Sequence, residues 1–302
     1  MGPFPKHLLH PRYWFTWLLL GIWWFFAQLP YAVQWYLGKI IARFMPILAR
    51  RRTHIARCNL KICFPEKSAE ERVLLLKQNL HAVVMGVLET GMAWFWSKKR
   101  LQQLIQIEGL ENLDAIEGSG ALLLGVHFTS LEMAGVCVNS HITRLDMMYR
   151  AHKNELFDFV QRNRRGRHNN KCKLILRKDV RDVLRRLKQG RIVWYAPDQD
   201  YGLKQGVFAP FFGVQAATIT ATSRFARIAN VPVLPIFDTR LPNGVCKVRI
   251  LPPLENFPSN DDVLDATRIN ALVESFIRQQ PEQYLWVHRR FKNRPEGSAS
   301  VY

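Results

Sequence analysis

Hydrophobic and polar positions divide the chain into three parts. Positions 13–38 carry no charged side chain, and within them 14–29 are almost wholly apolar. Positions 68–96 are amphipathic at first and apolar later, and Ser-Ala-Glu-Glu at 68–71 has the form of a capping box, which predicts that a helix begins there. After position 101, short apolar runs alternate with amphipathic ones, a pattern typical of an α/β domain with a largely parallel sheet.

The alternating part of the chain predicts six strands and the helices between them. Strands are expected at 121–126, 146–149, 173–176, 192–196, 231–237 and 245–251. Helices are expected at about 130–140, 179–189, 217–229 and 263–279. Because the turn sequence Leu-Pro-Asn-Gly separates the last two strands, this end of the sheet is expected to be antiparallel.

The apolar segment at 14–29 predicts an N-terminal membrane-anchor helix. It is shorter than the ~20 residues of a spanning helix, but Tyr13 and Tyr31 flank it as interfacial residues do and could extend it. A cleaved signal peptide fits less well, because bulky Trp and Phe fill the run and no small-residue cleavage site follows. We therefore divide the chain into an anchor with a basic juxtamembrane segment at 1–45 and one α/β domain at 46–302.

Charge adds a second reason to expect a membrane. The formal net charge is +19, and positions 39–61 hold seven Lys or Arg without one acid. Basic residues beside an anchor tend to stay in the cytoplasm and attract anionic headgroups, although a solvated helix face is the alternative. The five Cys lack a C-x-x-C pair, which argues against a zinc ribbon or a disulfide framework and favours reduced thiols.

A second basic region lies at 162–191, with thirteen Lys or Arg against two Asp. Such density calls for an anionic partner. A polyanionic lipid headgroup, an acidic carrier protein and nucleic acid all fit the charge. No recognised motif for reading nucleic acid accompanies it, so we expect no nucleic-acid partner.

His127 and Glu132 are the residues that suggest chemistry. A neutral imidazole whose tautomer is fixed by a carboxylate can take a proton from an alcohol, the step that acylation of a hydroxyl needs. Nine His and 24 acids in 302 residues predict roughly 0.7 pairs at this spacing by chance. His141 and Asp146 form a second such pair. Only His127 follows a predicted strand and precedes a predicted helix, and open α/β sheets place their sites at that edge.

Two structural alternatives stay open for this pair. Thr-Ser-Leu-Glu at 129–132 fits the T-x-x-E capping box, in which the acid satisfies the start of a helix. A carboxylate near the helix N-terminus is also well placed to orient the preceding His127, so both roles are compatible for Glu132. For His127 the alternative is a buried, hydrogen-bonded core histidine.

Candidate binding residues follow other predicted strands. Arg150 ends the strand after the His127 helix, where its guanidinium suits a phosphate or carboxylate, and pairing with a nearby acid is the alternative. Asp198 and Asp200 lie in a tight turn after the strand at 192–196. A lone D-x-D is weak support for Mg²⁺, and Asp in turns commonly binds its own backbone, so no metal is predicted.

Long stretches of the sequence together resemble the lipid A secondary acyltransferases, the lauroyl, palmitoleoyl and myristoyl transferases of Gram-negative inner membranes. The resemblance covers nearly the whole chain, and the form His-Phe-x-Ser-Leu-Glu is nearer the lauroyl and palmitoleoyl branch. The box is also similar to the H-x4-D box of glycerolipid acyltransferases, with Glu in place of Asp. The stretches are His-Pro-Arg-Tyr-Trp at 10–14, Asn-Leu-Lys-Ile-Cys-Phe-Pro at 59–65, Glu-Thr-Gly-Met-Ala-Trp-Phe-Trp at 89–96, the box at 127–132, Tyr149-Arg150, 194–202, 281–292 and Arg-Pro-Glu-Gly at 294–297.

The resemblance implies a glycerolipid-acyltransferase-like α/β fold, with a mixed, mainly parallel sheet flanked by helices. It implies transfer of a fatty acyl chain from acyl carrier protein to the 3-hydroxyl of an acyl chain on a Kdo-bearing lipid A precursor, at the cytoplasmic side of the inner membrane and without a cofactor. His127 is then the expected general base and Glu132 its orienting acid. The expected substrate-binding residues are Arg150, Asn154, Arg177, Asp198 and Asp200.

Two other functions stay open on the residues alone. One is an acyl-CoA-dependent acyltransferase acting on a glycerophospholipid. The other is a membrane-tethered nucleic-acid-binding protein, which salt-sensitive binding of duplex DNA without acyl transfer would favour.

Overall fold

The computed structural model describes residues 4–302. Its helices are α1 (Trp14–Gln28), α2 (Tyr31–Leu48), α3 (Arg50–Cys63), α4 (Ala69–Phe95), α5 (Lys98–Leu101), α6 (Glu111–Asp114), α7 (Leu131–His141), α8 (Glu155–Arg165), α9 (Val180–Lys188), α10 (Ala221–Ala229) and α11 (Asp262–Gln279). Its strands are β1 (Ile105–Glu108), β2 (Ala121–Leu124), β3 (Leu145–Tyr149), β4 (Leu174–Leu176), β5 (Ile192–Tyr195), β6 (Gly206–Phe211), β7 (Val214–Ile219), β8 (Val233–Arg240) and β9 (Cys246–Ile250).

Seven of the strands form one mixed sheet in the order β1-β9-β8-β2-β5-β3-β4. All neighbours are parallel except β8 and β9, which are antiparallel. The mainly parallel sheet and its antiparallel end are thus confirmed, as are the six predicted strands. The sequence pattern misses β1, since its four residues are too few to show a period.

The predicted helix at 217–229 is wrong in its first part. β6 and β7 form a separate antiparallel hairpin, and α10 begins only at Ala221. Phe212 and Gly213, at φ values of 51° and 73°, make the turn of the hairpin. The pairing of the two strands therefore outweighs the helix preference of the Ala residues in β7.

The central strand β2 is buried on both faces. Its side chains alternate between two hydrophobic clusters: Leu122 and Leu124 face one that also holds residues of α9 and α10, and Ala121 and Leu123 face one that also holds residues of α7. All four residues of β2 have no exposed surface. A strand covered on both faces reads as a continuous apolar run, which is why the sequence pattern located it.

The long helix α4 packs against the sheet domain and against both N-terminal helices. Its predicted capping box is confirmed, because the Ser68 hydroxyl accepts from the Glu71 backbone N–H and the Ser68 N–H donates to the Glu71 carboxylate at 2.6 Å. A buried ion pair between Glu89 and Arg240, with Nη2 to Oε2 at 2.6 Å, joins α4 to β8. The helix is therefore fixed at its start and again near its end.

The two N-terminal helices pack on α4 and leave large apolar side chains exposed on their outer faces. The predicted helix at 14–29 is confirmed as α1, and the boundary predicted between 45 and 46 falls within α2. Within residues 4–302, no helix combines the length and the hydropathy needed to cross a membrane. The anchor and the division into two parts stay predictions.

Candidate active site

His127 lies in the short loop between β2 and α7, at the carboxyl edge of the sheet. The loop is held by the segment at 283–285: the Leu285 N–H donates to the His127 carbonyl at 3.0 Å, and the Thr129 N–H donates to the Gln283 carbonyl at 2.8 Å. Phe128 and Tyr284 form a bridge between these two hydrogen bonds. The stretch 281–292 thus positions the loop that carries the histidine.

The partner of His127 is Asp198. The His127 Nδ1 lies 2.6 Å from Asp198 Oδ1, and the His127 backbone N–H donates to Asp198 Oδ2 at 3.1 Å. The two residues meet because β2 and β5 are neighbours, and the Gly125 N–H donates to the Tyr195 carbonyl at 2.8 Å beyond the paired strands. The carboxylate of Asp198, which the resemblance led us to expect in substrate binding, is thus hydrogen-bonded to the histidine.

The hydrogen-bond partners of Glu132 are Arg165 and Trp94. Arg165 Nε donates to its two carboxylate oxygens at 3.0 and 3.1 Å, Arg165 Nη2 makes a further contact, and Trp94 Nε1 donates at 3.0 Å. Among the residues that the structure describes, no hydrogen bond joins Glu132 to His127. The expected contact between Glu132 and His127 therefore does not form. Glu132 lies in the first turn of α7, and α8 brings Arg165 to its carboxylate.

The capping box at 129–132, the structural alternative for Glu132, does not form either. Ser130 is the residue that precedes the helix, and no side chain caps the first turn of α7. The Ser130 hydroxyl donates to Asp238 at 2.6 Å, while the buried Thr129 hydroxyl has no hydrogen-bond partner in the described part of the chain. Glu132 is therefore occupied by Arg165 and Trp94 rather than by the helix start.

In the second His–acid pair at this spacing, His141 and Asp146, each residue has a different partner. His141 Nδ1 lies 2.7 Å from the Cys137 carbonyl, within its own helix, and Asp146 binds the guanidinium groups of Arg186 and Arg191 at 2.7 to 3.1 Å. These arginines belong to the basic region at 162–191, so part of that region is internal rather than free for a partner.

Burial and charge act in opposite directions on His127 and Asp198. Burial alone would lower the pKa of His127, but the charge of Asp198 and its hydrogen bond outweigh burial and raise that pKa above its usual 6.5. Burial would raise the pKa of Asp198, yet the imidazolium form of His127 and its hydrogen bonds lower it. Asp198 is therefore an ionised carboxylate against the ring at neutral pH.

Burial and charge also act in opposite directions on the pKa values of Glu132 and Arg165. Burial raises the pKa of Glu132, but the charge of Arg165 and the bonds from Arg165 and Trp94 lower it below its usual value. The pKa of Arg165 is raised, because the charge of Glu132 outweighs burial. The site thus contains two separate charged pairs, and the guanidinium of Arg165 is close enough to His127 to influence its titration.

A cavity of about 310 Å³ opens beside these two pairs. His127, Glu132 and Arg165 line it, and the exposed side chains of Arg150 and Arg177 lie at its mouth. Arg177 also stacks over the Tyr201 ring, 5.3 Å from its centroid. The rest of the wall is mainly apolar and also includes polar residues; it consists of Trp94, Leu131, Gly135, Val136, Met147, Met148, Tyr149, Gln161, Arg164, Trp194, Tyr195, Ala196, Gln199 and Tyr201.

Two of the expected binding residues, Asn154 and Asp200, make structural hydrogen bonds. Asn154 caps α8, since its Oδ1 accepts from the Phe157 N–H at 3.1 Å, and its Nδ2 donates to Thr16 on α1 at 3.0 Å. Asp200 accepts from the backbone and side chain of Asn293 at 2.8 and 2.6 Å, and it also closes its own turn. The turn interpretation is therefore right for Asp200, and Asn154 does not line the cavity.

Sequence reasoning located His127, Arg150 and Arg177 but missed Arg165 and Trp94. Trp94 belongs to the stretch 89–96 that carries the resemblance, and Arg165 lies within the basic region, so neither stands out by type or spacing. Across residues 4–302, no three His, Cys, Asp or Glu side chains converge in a way that would hold a metal ion.

Comparison with known proteins confirms the resemblance. The family model described as bacterial lipid A biosynthesis acyltransferase matches residues 1–293. The lipid A biosynthesis palmitoleoyltransferase of Escherichia coli strain K12 is 41% identical over 303 residues, covering 99% of this chain and 98% of its own length. The lipid A biosynthesis lauroyltransferase of the same strain is also 41% identical, over 307 residues, with the same coverage of 99% and 98%.

A more distant relative and a solved structure complete the comparison. The lipid A biosynthesis myristoyltransferase of Escherichia coli strain K12 is 27% identical and covers 99% of this chain and 93% of its own length. A 1-acyl-sn-glycerophosphate acyltransferase structure from Thermotoga maritima gives a TM-score of 0.40 at 15% identity, over 82% of this chain and 97% of its own. That structural likeness is too weak to carry an inference.

Proposed function

The chain belongs to the bacterial lipid A biosynthesis acyltransferases, and we propose that it transfers a fatty acyl chain from acyl carrier protein to the 3-hydroxyl of a primary acyl chain on a Kdo-bearing lipid A precursor. Membership makes it an acyltransferase. The observation that carries the proposed reaction is the pair of His127 and Asp198, with Nδ1 to Oδ1 at 2.6 Å, in which His127 lines a mainly apolar cavity.

His127 acts as the general base in this proposal. Asp198 holds a proton on Nδ1, so the lone pair of Nε2 is available to an acceptor hydroxyl. As Nε2 takes the hydroxyl proton, the oxygen attacks the thioester carbonyl and a C–O bond forms. The C–S bond then breaks, and the departing thiolate recovers the proton from the imidazolium.

Arg165 supplies positive charge for the tetrahedral intermediate. Glu132 and Trp94 hold the guanidinium and the carboxylate in fixed positions on the cavity wall. Preorganised charge in a site with little water stabilises a developing oxyanion better than mobile charge does. Glu132 therefore contributes through Arg165, and Asp198 contributes through His127.

Arg150 and Arg177 form the cationic mouth of the cavity. A guanidinium binds phosphate through two parallel hydrogen bonds, which suits the phosphates of the acceptor lipid. The same charges would attract an acidic acyl carrier protein. This arrangement favours a charged acyl donor and a charged acceptor over an uncharged donor and acceptor.

The outer faces of α1 and α2 support contact with the cytoplasmic side of the inner membrane. Apolar side chains on both helices are exposed, with basic residues beside them on α2. An amphipathic surface of this kind lies in the headgroup region and binds anionic lipids. The exposed residues include Trp14, Phe15, Phe25, Tyr36, Ile40, Phe44 and Ile47, with Lys39 and Arg43.

The test uses purified protein, acyl carrier proteins loaded with different chains, and a Kdo-bearing lipid A precursor, with mass spectrometry of the product. We expect one added acyl chain, and we expect His127→Ala to lower the rate by a factor on the order of 10² to 10⁴ while the protein stays folded and bound to vesicles. His141→Ala is the matched control and should retain most activity.

Near-normal turnover by His127→Ala would overturn the mechanism. Equal loss in the His141 variant would mean that the wrong histidine was chosen. Preference for acyl-CoA with a lysophospholipid would favour the glycerophospholipid alternative instead.

A further inference from the structure

A second cavity, of about 510 Å³, lies between α1 and α8 and is separate from the cavity that His127 lines. We call it the α1–α8 groove. Its lining residues recur every three or four positions along each helix, so each helix turns one face to the groove. Phe4, Phe95 and Arg167 complete the wall. The side chains on the two helix faces are those of Trp17, Leu20 and Trp24 on α1 and of Phe159, Val160, Asn163 and Arg164 on α8.

Two guanidinium groups, those of Arg164 and Arg167, are set into this mainly apolar wall. The Arg164 Cζ lies 5.5 Å from the centroid of the Phe95 ring. Arg167 Nη2 donates to the carbonyls of Ala93, at 3.2 Å, and Trp96. Rings and carbonyls hold a cation in place without neutralising it. Within residues 4–302, no carboxylate forms a salt bridge with either arginine.

The titration of these groups agrees with an excess of positive charge. Burial and the like charge of Arg164 lower the pKa of Arg167 to about 10, and no acid counters them. His168 Nε2 accepts from Arg167 Nε at 3.0 Å, and burial with the charges of Arg167 and Lys98 lowers the pKa of His168 to about 4. His168 is therefore neutral at neutral pH. Two unneutralised guanidinium groups beside each other suit a phosphate, which accepts hydrogen bonds from both.

The groove opens at the outer surface of α1. Trp24 lines it and is also 51% exposed. Other apolar side chains of the same helix, among them Leu18, Ile22 and Phe25, are exposed as well. Because a surface of this kind lies among lipids, a lipid of the bilayer can enter the groove from the side. A cavity of roughly 150 Å³ accommodates benzene, so 510 Å³ has room for one hydrocarbon chain.

We propose that the α1–α8 groove binds one anionic glycerophospholipid of the membrane, with one acyl chain between the two helices and its phosphate on Arg164 and Arg167. The lipid supplies the negative charge that the protein does not place there, and its hydrocarbon covers the apolar faces of both helices. The proposal does not depend on the acyl-transfer reaction, whose acceptor hydroxyl belongs at His127 in the other cavity. A bound lipid also joins α1 to α8, the helix that carries Arg165.

Native mass spectrometry of the delipidated full-length protein in a neutral detergent tests the site with three probes. Phosphatidylglycerol carries phosphate and acyl chains, diacylglycerol carries only the chains, and glycerol 3-phosphate carries only the phosphate. We expect one tightly retained phosphatidylglycerol, with an affinity about tenfold or more above that of diacylglycerol, because only the first has a group for the two guanidiniums. Glycerol 3-phosphate should not displace it at equal concentration.

Two variants test the two halves of the site. Arg164→Gln should lower the affinity for phosphatidylglycerol about tenfold, whereas Arg162→Gln, at an exposed position of the same helix that does not line the groove, should bind as the wild type does. Trp24→Ala should also lower the affinity about tenfold. Its control is Phe26→Ala, which removes an exposed aromatic ring of α1 outside the groove and should leave the affinity unchanged.

Binding is the readout because Arg164 also lines the catalytic cavity, and thermal unfolding checks that each variant is folded. Arg167 stays unchanged, since its loss would free two backbone carbonyls as well. Equal affinity for phosphatidylglycerol and diacylglycerol, or wild-type affinity in both Arg164→Gln and Trp24→Ala, overturns the proposal. Displacement of the bound phosphatidylglycerol by an equal concentration of the Kdo-bearing lipid A precursor assigns the groove to the acceptor and overturns it too.

Discussion

At the scale of single residues, the two carboxylates of the site have different partners, so replacing each one should have a different effect on activity. Asp198 touches His127 twice, and Glu132 touches Arg165 and Trp94. Asp198→Asn should lower the rate by a factor on the order of 10⁴, because the amide no longer fixes the tautomer or stabilises the imidazolium. Glu132→Gln should lower it by loosening Arg165.

The pH profile distinguishes these two roles. His127 must be neutral to accept a proton, and Asp198 raises its pKa above 6.5, so the rate of the wild type should increase as the pH rises through that raised pKa. In Asp198→Asn this limb should move to lower pH, while in Glu132→Gln it should stay near that of the wild type. A limb that moves in the Glu132 variant and stays in the Asp198 variant contradicts the assignment.

Spacing in the sequence can find His127 but not its partner. His127 and Asp198 are 71 positions apart, and only the adjacency of β2 and β5 brings them together. Glu132 has the expected spacing, yet Arg165 binds its carboxylate. A local motif therefore predicts which residues are near the site, whereas the contacts among them depend on strand order and on helices that the motif does not contain.

A third carboxyl group gives a prediction about stability. Asp238 is 2% exposed, and burial raises its pKa to about 6. A raised acid pKa favours the protonated form in the folded state, so the contribution of Asp238 is most favourable below about pH 4 and is lost as the pH rises through about 6. Asp238→Asn keeps an acceptor for the Ser130 hydroxyl and removes the titratable carboxyl group, so the variant does not lose this stability as the pH rises.

The free energy of unfolding of Asp238→Asn, relative to the wild type, should therefore increase between about pH 4 and pH 6 and then stay constant, with a gain on the order of 2 to 3 kcal/mol. Denaturant unfolding at several pH values measures the difference directly, and groups common to both proteins cancel. A difference that is flat with pH would show that Asp238 does not titrate in this range.

At the scale of elements, α4 is the support on which the site loop rests. A Cβ added to Gly86 would lie 2.4 Å from the Thr129 carbonyl oxygen, and that carbonyl is two residues after His127. Helix and loop can approach this closely only because Gly86 has no side chain. The position of His127 thus depends on a residue of another element.

Gly86→Ala should lower both stability and turnover, because either α4 or the loop must move by several tenths of an ångström. Gly21→Ala is the matched control: its Cβ would meet nothing within 4 Å, so this helical substitution should be neutral or stabilising by up to about 1 kcal/mol. Thermal unfolding and acyl transfer measured on both variants test the contact. Full activity in Gly86→Ala would show that the loop adjusts freely.

Elements buried on both faces were the easiest to predict. β2 and β5 are continuous apolar runs because helices cover both sides of them, and their positions were found to within two residues. The hairpin of β6 and β7 was not found, since it is stabilised by pairing with itself and by α11 rather than by an alternating pattern. Tertiary contacts decided the structure there.

At the scale of the whole molecule, the sheet order explains why residues far apart in sequence share one cavity. β2, β5 and β3 lie side by side, so the segments after them bring together His127, Gln199 and Arg150. The class of fold and the edge of the sheet that carries the site followed from apolar periodicity. The cavity did not, because its walls come from α4, α7, α8 and two strands, and no local period records which of their residues face one another.

The hydrogen bonds from 283–285 to the His127 loop also have a consequence for synthesis. The histidine emerges from the ribosome long before the backbone groups of Gln283 and Leu285 that hold its loop. The N-terminal helices are complete early in synthesis, whereas the loop gains its last partners only when nearly all of the chain has been made. A nascent chain therefore lacks the two hydrogen bonds that hold the His127 loop until its translation is almost complete.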